Sequence, residues 1–473
     1  MKFINLDLAW RNIWRNKRRT LITAASILFA VFFALIMRAY QLGVYKNMTD
    51  SVVQTYLGFI QIHAKDYWKE KTLDYLFEAN NDFLRKVAFV KNISMTAPRF
   101  ESFALASAGL KTKGTIVAGI DPFKENSMSG LSKKLIRYKM NDSVETELLK
   151  SGVPKDIIAA INESRVKSFT SQEDAEKKLT KFIGKENTVR FLKLILSKSK
   201  INHAYLTEHD NGVLVGDRLS DFLNLSVGDS LVLLGQGYHG ASAAGVYPVR
   251  GIVKIPNPEL DNQVLYMSVT QCQKLFSAPN MLTSLVVNLH DPEKLDETKS
   301  EMKRILDHGQ YEVMTWREMD KELVQQIDSD NYSGLIMLWI LYIIVGFGVF
   351  GTVLMMTTER KKEFGVMVAL GMQKYKLGYV VFIELVILSF LGIISGIILS
   401  LPIIRYFVVN PIQLTGSMAD MMNQYGIEPI LPFAWQFDYF LAQSASVLVI
   451  ISIAIIYPLL KVFNLDTMKS LRG

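Results

Sequence analysis

The sequence predicts an α-helical membrane protein with four transmembrane helices and a large α+β extracytoplasmic domain inserted between the first and second. Three observations carry this. Apolar runs long enough to cross about 30 Å of hydrocarbon occur at Leu21–Met37, Leu335–Met356, Leu377–Leu401 and Phe437–Leu460. Lysine and arginine gather at alternate ends of those runs. Between the first run and the second, the sequence turns to the alternating and charged patterns of a water-facing domain.

Taken in order, residues 1–20 predict a basic amphipathic helix. Leu6, Trp10, Ile13 and Trp14 lie on one side and Arg11, Arg15 and Arg18 on another, which suits a helix lying in the cytoplasmic headgroup layer. Residues 21–42 form the first span. A cleavable leader has the same order of charge then apolar run. This run is long, however, and no small-residue cleavage pattern follows, so a retained anchor is expected.

Residues 43–334 form the inserted domain. Val53–Ala64 and Met95–Ile120 alternate apolar and polar residues with glycines at Gly109, Gly114 and Gly119, a strand pattern. From about 135 to 205, spacings of three and four in lysine- and glutamate-rich sequence predict an inserted lobe of short helices. Strands resume at Gly212–Gly216, Ser230–Leu234, Val246–Val253, Gln263–Val269 and Ser284–Leu289. A helix is expected over Asp291–Asp307, a closing strand at Tyr311–Thr315 and a helical stalk over Trp316–Asp330.

The remaining spans are 335–358, 377–409 and 437–461. Between the first two of these lies the amphipathic segment 359–376, where Arg360, Lys361, Lys362, Lys374 and Lys376 carry the charge. The loop 410–436 has no lysine or arginine between Asn410 and Trp435, whereas the tail 462–473 has Lys469 and Arg472. Charge bias therefore predicts a multi-pass protein of the cell inner membrane, both termini and the amphipathic segment cytoplasmic, the domain and loop extracytoplasmic.

Composition narrows the functional classes. The net charge of +8 sits beside apolar runs, so membrane orientation explains it and nucleic acid is not an expected partner. Cys272 is the only cysteine, which excludes an intramolecular disulfide and multi-thiolate zinc sites. His203 and His209 lack metal-ligand spacing. Gly235–Gly240 lacks the lysine and hydroxyl of a phosphate-binding loop and reads as a mobile hairpin tip. No catalytic, cofactor or metal residue is expected in this chain.

Other residues invite structural roles. Glu384, two turns inside the third span, needs a partner facing protein or water. Gly392 and Gly396 form a GxxxG pattern that permits close helix approach, as in a dimer seam. Met418, Met421 and Met422 could meet an acyl chain, since thioethers adapt to irregular apolar shapes.

The layout of one span, a large outer domain and three spans resembles the FtsX-like permeases of ABC transporters, including macrolide-exporter (MacB-like) and lipoprotein-releasing (Lol-type) members. Leu8–Thr20 is similar to the family's basic N-terminal helix. Glu359–Met372 is similar to its signature, with Ile383-Glu384 as the acidic position downstream, and Tyr457–Arg472 to its ending. Val215–Leu219, Val227–Asp229 and Val249–Val253 resemble the outer domain of the Lol-type branch, whereas 138–204 has no counterpart there.

The resemblance implies that 359–376 is a coupling helix docked on a cytoplasmic ABC ATPase dimer, which would hold the ATP and Mg. Phe364, Met367 and Leu370 would fill its groove beside Ala369 and Gly371, with Arg360 and Glu363 at the rim. It further implies a second permease, identical or paralogous, a setting of membrane lipids, and a lipoprotein or periplasmic carrier as partner. The expected function is transmission of ATP-driven motion to the outer domain for lipoprotein release or export of an amphipathic cargo. The alternative is a transmembrane relay that regulates an envelope enzyme such as a cell-wall hydrolase without moving cargo.

Overall fold

The structure is a computed structural model that describes every residue except 1–9, 12, 16, 165–166, 415, 419–429 and 465–473. The chain divides into two compact units. The first comprises residues 1–47, 322–415 and 429–473, and the second 48–321 and 416–428.

The first unit is helical. Its long elements are α1 (Lys17–Val52), α8 (Lys321–Glu359), α10 (Lys374–Val409) and α11 (Phe437–Phe463), with a short α9 (Lys361–Ala369) between α8 and α10. Four of these are long and apolar enough to cross a membrane. Ile27, Val31 and Leu35 of α1 pack with Leu385 and Leu388 of α10 and Ile451 and Ile455 of α11. Outward positions are apolar too: Ile336, Ile340 and Phe347 on α8, Ile398 on α10 and Ile453 on α11 are all more than half exposed. Helices apolar all round are at home in hydrocarbon and would aggregate in water.

Gly392 and Gly396 bring α10 against α1. A Cβ at Gly392 would lie 2.6 Å from the Ile27 Cβ, and one at Gly396 would lie 2.8 Å from the Leu28 carbonyl oxygen. The glycine pair therefore serves close packing of α10 on α1 within the chain. Gly392→Leu is expected to cost about 1–3 kcal/mol by overpacking, read as a lower melting temperature of the purified protein. An unchanged melting temperature would mean that α1 can move aside.

The second unit is built on a nine-stranded sheet: β1 (Ile60–Ala64), β2 (Ile93–Ala108), β3 (Lys111–Ile120), β4 (Val213–Gly216), β5 (Ser230–Gln236), β6 (Ser242–Val253), β7 (Val264–Ser268), β8 (Ser284–Leu289) and β9 (Tyr311–Thr315). The strand order is β9-β1-β8-β2-β3-β7-β4-β6-β5. The long β2 shares one edge between two partners, pairing with β8 through Ile93–Arg99 and with β5 through Ala104–Ser107. The second pairing closes β2, β3, β7, β4, β6 and β5 into a ring. Alternate residues point inward, so Phe100, Val117, Val215, Leu233, Val249 and Leu265 fill it.

Sequence and structure differ in three places here. Val53–Leu57 is a wide helical turn continuing from α1, and only Ile60–Ala64 is a strand, because Gly58 (φ 70°) ends the helix and redirects the chain. The stalk breaks at Asp320 (φ −112°, ψ 74°) after a short helix, Trp316–Met319, and α8 begins one residue later. The turn at Gly235–Gly240 is tied down, not free: Gly237 N donates to Ala241 O at 2.7 Å and Tyr238 N to Phe276 O at 2.8 Å.

The lobe around 135–205 contains α3 (Asp142–Lys150), α4 (Lys155–Glu163) and α5 (Gln172–Ser199), the last kinked where Gly184 takes φ 79°. It has its own core of Leu148, Ile158, Ile161, Phe169, Leu179 and Ile195. Polar links join it to α6 (Asp217–Leu223) of the sheet region. Lys139 Nζ lies 2.9 Å from Asp217 and 2.7 Å from Asp221, and Ser168 donates to Asp217. A buried ion pair also braces the sheet: Arg99 of β2 reaches both oxygens of Glu125 on α2 (Pro122–Ser129), at 3.0 and 2.8 Å.

Two buried acid–base groups of this unit oppose each other in pH. Burial, with Lys71 nearby, lowers His63 from 6.5 to about 4, despite its bond to the Thr283 carbonyl. Burial raises Asp261 from 3.8 to about 6, although the amides of Ile255, Arg218 and Asp217 oppose this. The His63 contribution is full above pH 6.5 and is lost as pH falls through 4. The Asp261 contribution is full below pH 3.8 and is lost as pH rises through 6. A His63→Gln variant is therefore expected to lose less stability than the parent between pH 6.5 and 4, by up to about 3 kcal/mol. Melting curves at both pH values check this, and parallel losses would refute it.

Candidate coupling site

The site grows from the way α9 is held. Arg360, the residue between α8 and α9, leaves helical geometry (φ −88°, ψ 6°), and Gly371 takes φ 98° after α9 ends at Ala369. Those two breaks let a short helix turn between two long ones. Within α9 the helical spacing divides the side chains. Phe364 is 1% exposed and Met367 packs on the helical core. Val366 is 47% exposed and Leu370, just past the helix, 83%, with Ala369 and Gly371 also exposed.

The assignment of groove-filling residues therefore changes. Phe364 faces inward under the Arg360 guanidinium, 5.1 Å from its ring centre. The outward apolar surface is Val366, Ala369 and Leu370, followed by Tyr375. Arg360 is not a rim residue either: it is 5% exposed.

Its partner is Glu384. Arg360 Nη1 donates to Glu384 Oε2 at 2.8 Å and to Oε1 at 3.2 Å, with both side chains nearly closed to solvent. A buried charge left alone would be costly, and this contact satisfies each with the other. Glu363, by contrast, stands at the surface. Its carboxylate accepts from Arg15, of the N-terminal helical segment, and lies 3.4 Å from Arg360 Nε. The Arg15 hydrogen bond chiefly, with Arg360 assisting against partial burial, holds the Glu363 carboxyl below its ordinary range. Arg15, Glu363, Arg360 and Glu384 thus form a ladder of alternating charge through three helical segments.

Neighbouring features support the same frame. In the N-terminal segment Ile13 is buried while Trp10 and Trp14 are about half exposed; Leu6 lies outside the described residues. Farther along α1, Arg38 donates to Gln41 at 2.7 Å and to Asn331 of α8 at 2.8 Å. Of the methionines considered for acyl contact, Met418 is 53% exposed, and Met421 and Met422 lie outside the described residues. The Arg15–Glu363 pair had no sequence signal, being 348 residues apart. Arg360 and Glu384 were each visible, and only the fold joins them.

Comparison with known proteins finds a likeness for this helical region. Residues 335–467, which include the whole of α9 and α10, match the family model of the FtsX-like permease C-terminal region. This part of the chain is similar to the C-terminal region of FtsX-like permeases. Two solved structures align with the chain at low similarity. The extracellular domain of the ABC-type transporter YknZ from Gram-positive bacteria is 10% identical, covering 55% of this chain and 100% of that one, with a TM-score of 0.28. The periplasmic region of MacB from Actinobacillus actinomycetemcomitans is 10% identical, covering 59% of this chain and 97% of that one, with a TM-score of 0.30. No curated protein matches the chain.

Proposed function

We propose that this chain is the membrane permease subunit of an ABC transporter, driven by a separate cytoplasmic ATPase dimer that docks on α9. One observation carries the reading: α9 and the residue that follows it present Val366, Ala369 and Leu370 outward, while Phe364 and the Arg360–Glu384 pair hold the other side to the helical core and α10. A helix gripped on one face and bare on the other can accept a push and pass it on without deforming. Basic residues beside α9 favour the cytoplasmic side for it, and hence for both termini.

The work done is movement of an amphipathic cargo, with a lipoprotein as the leading class and Met418, Met421 and Met422 as contacts for its apolar part. A second permease, identical or paralogous, completes the transporter. Nothing in the coupling site calls for chemistry in this chain. Gentle detergent purification of the intact permease is the test, and an ATP-hydrolysing partner is expected to come with it. Hydrolysis of ATP by the isolated chain, or accessibility of Leu370 to reagents only from outside the cell, would overturn the proposal.

A further inference from the structure

Away from the coupling site, the sheet-bearing unit contains a cavity of about 250 Å3. Aromatic side chains form much of its wall: Tyr56, Tyr67, Trp68 and Phe103. Glu101 and Lys71 are among its polar groups. Tyr67 is buried and backed by His63, whose ring stacks on it with centres 5.2 Å apart, so the wall is fixed before any ligand arrives.

Two cations of the chain already use these rings. The Arg99 guanidinium lies 4.9 Å from the Tyr56 ring centre, and Lys71 Nζ lies 4.2 Å from that of Trp68. The two are held differently. Arg99 is buried and fixed by its two-point contact with Glu125. Lys71 is exposed, and its ammonium makes no hydrogen bond or ion pair among the described residues. Only the ring of Trp68 holds it.

An aromatic face attracts a cation through its quadrupole, most strongly for Trp, and the attraction grows as water is removed. Here the Lys71 contact shows that the wall accepts an ammonium, and the loose tether shows that this ammonium can leave. Phe103, 60% exposed, offers a further ring, and Glu101, whose Oε1 also lies 3.8 Å from Arg99 Nη1, supplies a carboxylate at the same cavity. An anionic ligand would meet that carboxylate. A neutral apolar ligand would gain the ring surface and nothing from the charge.

We propose that this cavity binds an organic ammonium group, with Lys71 as a built-in occupant that the ligand displaces. The ammonium sits over Trp68 facing Glu101, and the ligand's apolar part lies against Phe103 and Met319. Such a group can belong to a soluble amine or to a lipid headgroup. The assignment stands on the cavity alone and is independent of whether an ATPase drives the chain.

The test uses the full-length protein in phosphatidylglycerol nanodiscs, titrated with choline and with its neutral carbon isostere, dimethylbutanol. Choline is expected to bind about tenfold more tightly than the isostere. Lys71→Ala should tighten choline binding several-fold, and Glu101→Gln should weaken it. Trp68→Ala should abolish the preference for choline, and Trp68→Phe, which keeps a ring in place, should retain part of it. Equal binding of the two probes, or a Lys71→Ala variant with unchanged affinity, would overturn the proposal. Repeating the choline titration in discs containing phosphatidylethanolamine separates the sources. Weakened binding there assigns the site to a lipid headgroup, and unchanged binding assigns it to a soluble amine.

Discussion

Replacing Glu384 with alanine is expected to destabilise the protein by about 3–5 kcal/mol, because the Arg360 guanidinium stays buried without its counter-charge. The loss should appear as a steep fall in melting temperature of the detergent-solubilised protein. A double variant, Arg360→Met with Glu384→Leu, removes both charges and fills similar space, so most of the stability should return. If the double variant is as unstable as the single one, the pair is not the reason for the loss. The double variant also separates holding from signalling. It should keep the helices folded while loosening the grip of α9 on α10, and any ATPase that co-purifies should then turn over without responding to cargo.

The second large effect concerns docking. Leu370→Asp places a charge at the most exposed apolar position beside α9, and a central anchor of this kind typically contributes at least about 2 kcal/mol, or roughly thirtyfold in affinity. ATPase co-purification should fall to background while the melting temperature of the variant stays within about 2 °C of the parent. Phe364→Asp serves as the contrast. With its side chain 1% exposed, it should lower the melting temperature itself. Full co-purification with Leu370→Asp would show that the partner does not use this surface.

Much of the architecture could be read beforehand because its signals are local. A run such as Leu377–Leu401 declares a long apolar helix by composition, and the alternation in Met95–Ile120 declares strands, found as β2 and β3. The candidate coupling site was legible only to the level of its segment. Helical spacing gives a two-sided α9, but which side meets α10 depends on packing, so Phe364 and Leu370 could not be told apart. The same holds for Arg360. A surface arginine and a buried one look identical in sequence, and only its 2.8 Å approach to Glu384 distinguishes them. Gly392 and Gly396 announced a close helix approach, yet the identity of the neighbour, α1 of the same chain, is a matter of tertiary structure. At Val53–Leu57 the alternation misled, because a helix arriving from α1 overrode a weak strand preference.

The uninterrupted run of α8 has a mechanical corollary. At 39 residues and 1.5 Å per residue it is about 58 Å long, nearly twice the thickness of a bilayer's oily layer. A rigid rod of that length multiplies small rotations: a tilt of about 5° swings one tip about 5 Å relative to the other, with no bond broken along the way. A rotation of that size about Arg360 would therefore displace the helix at Lys321 by about the length of a side chain.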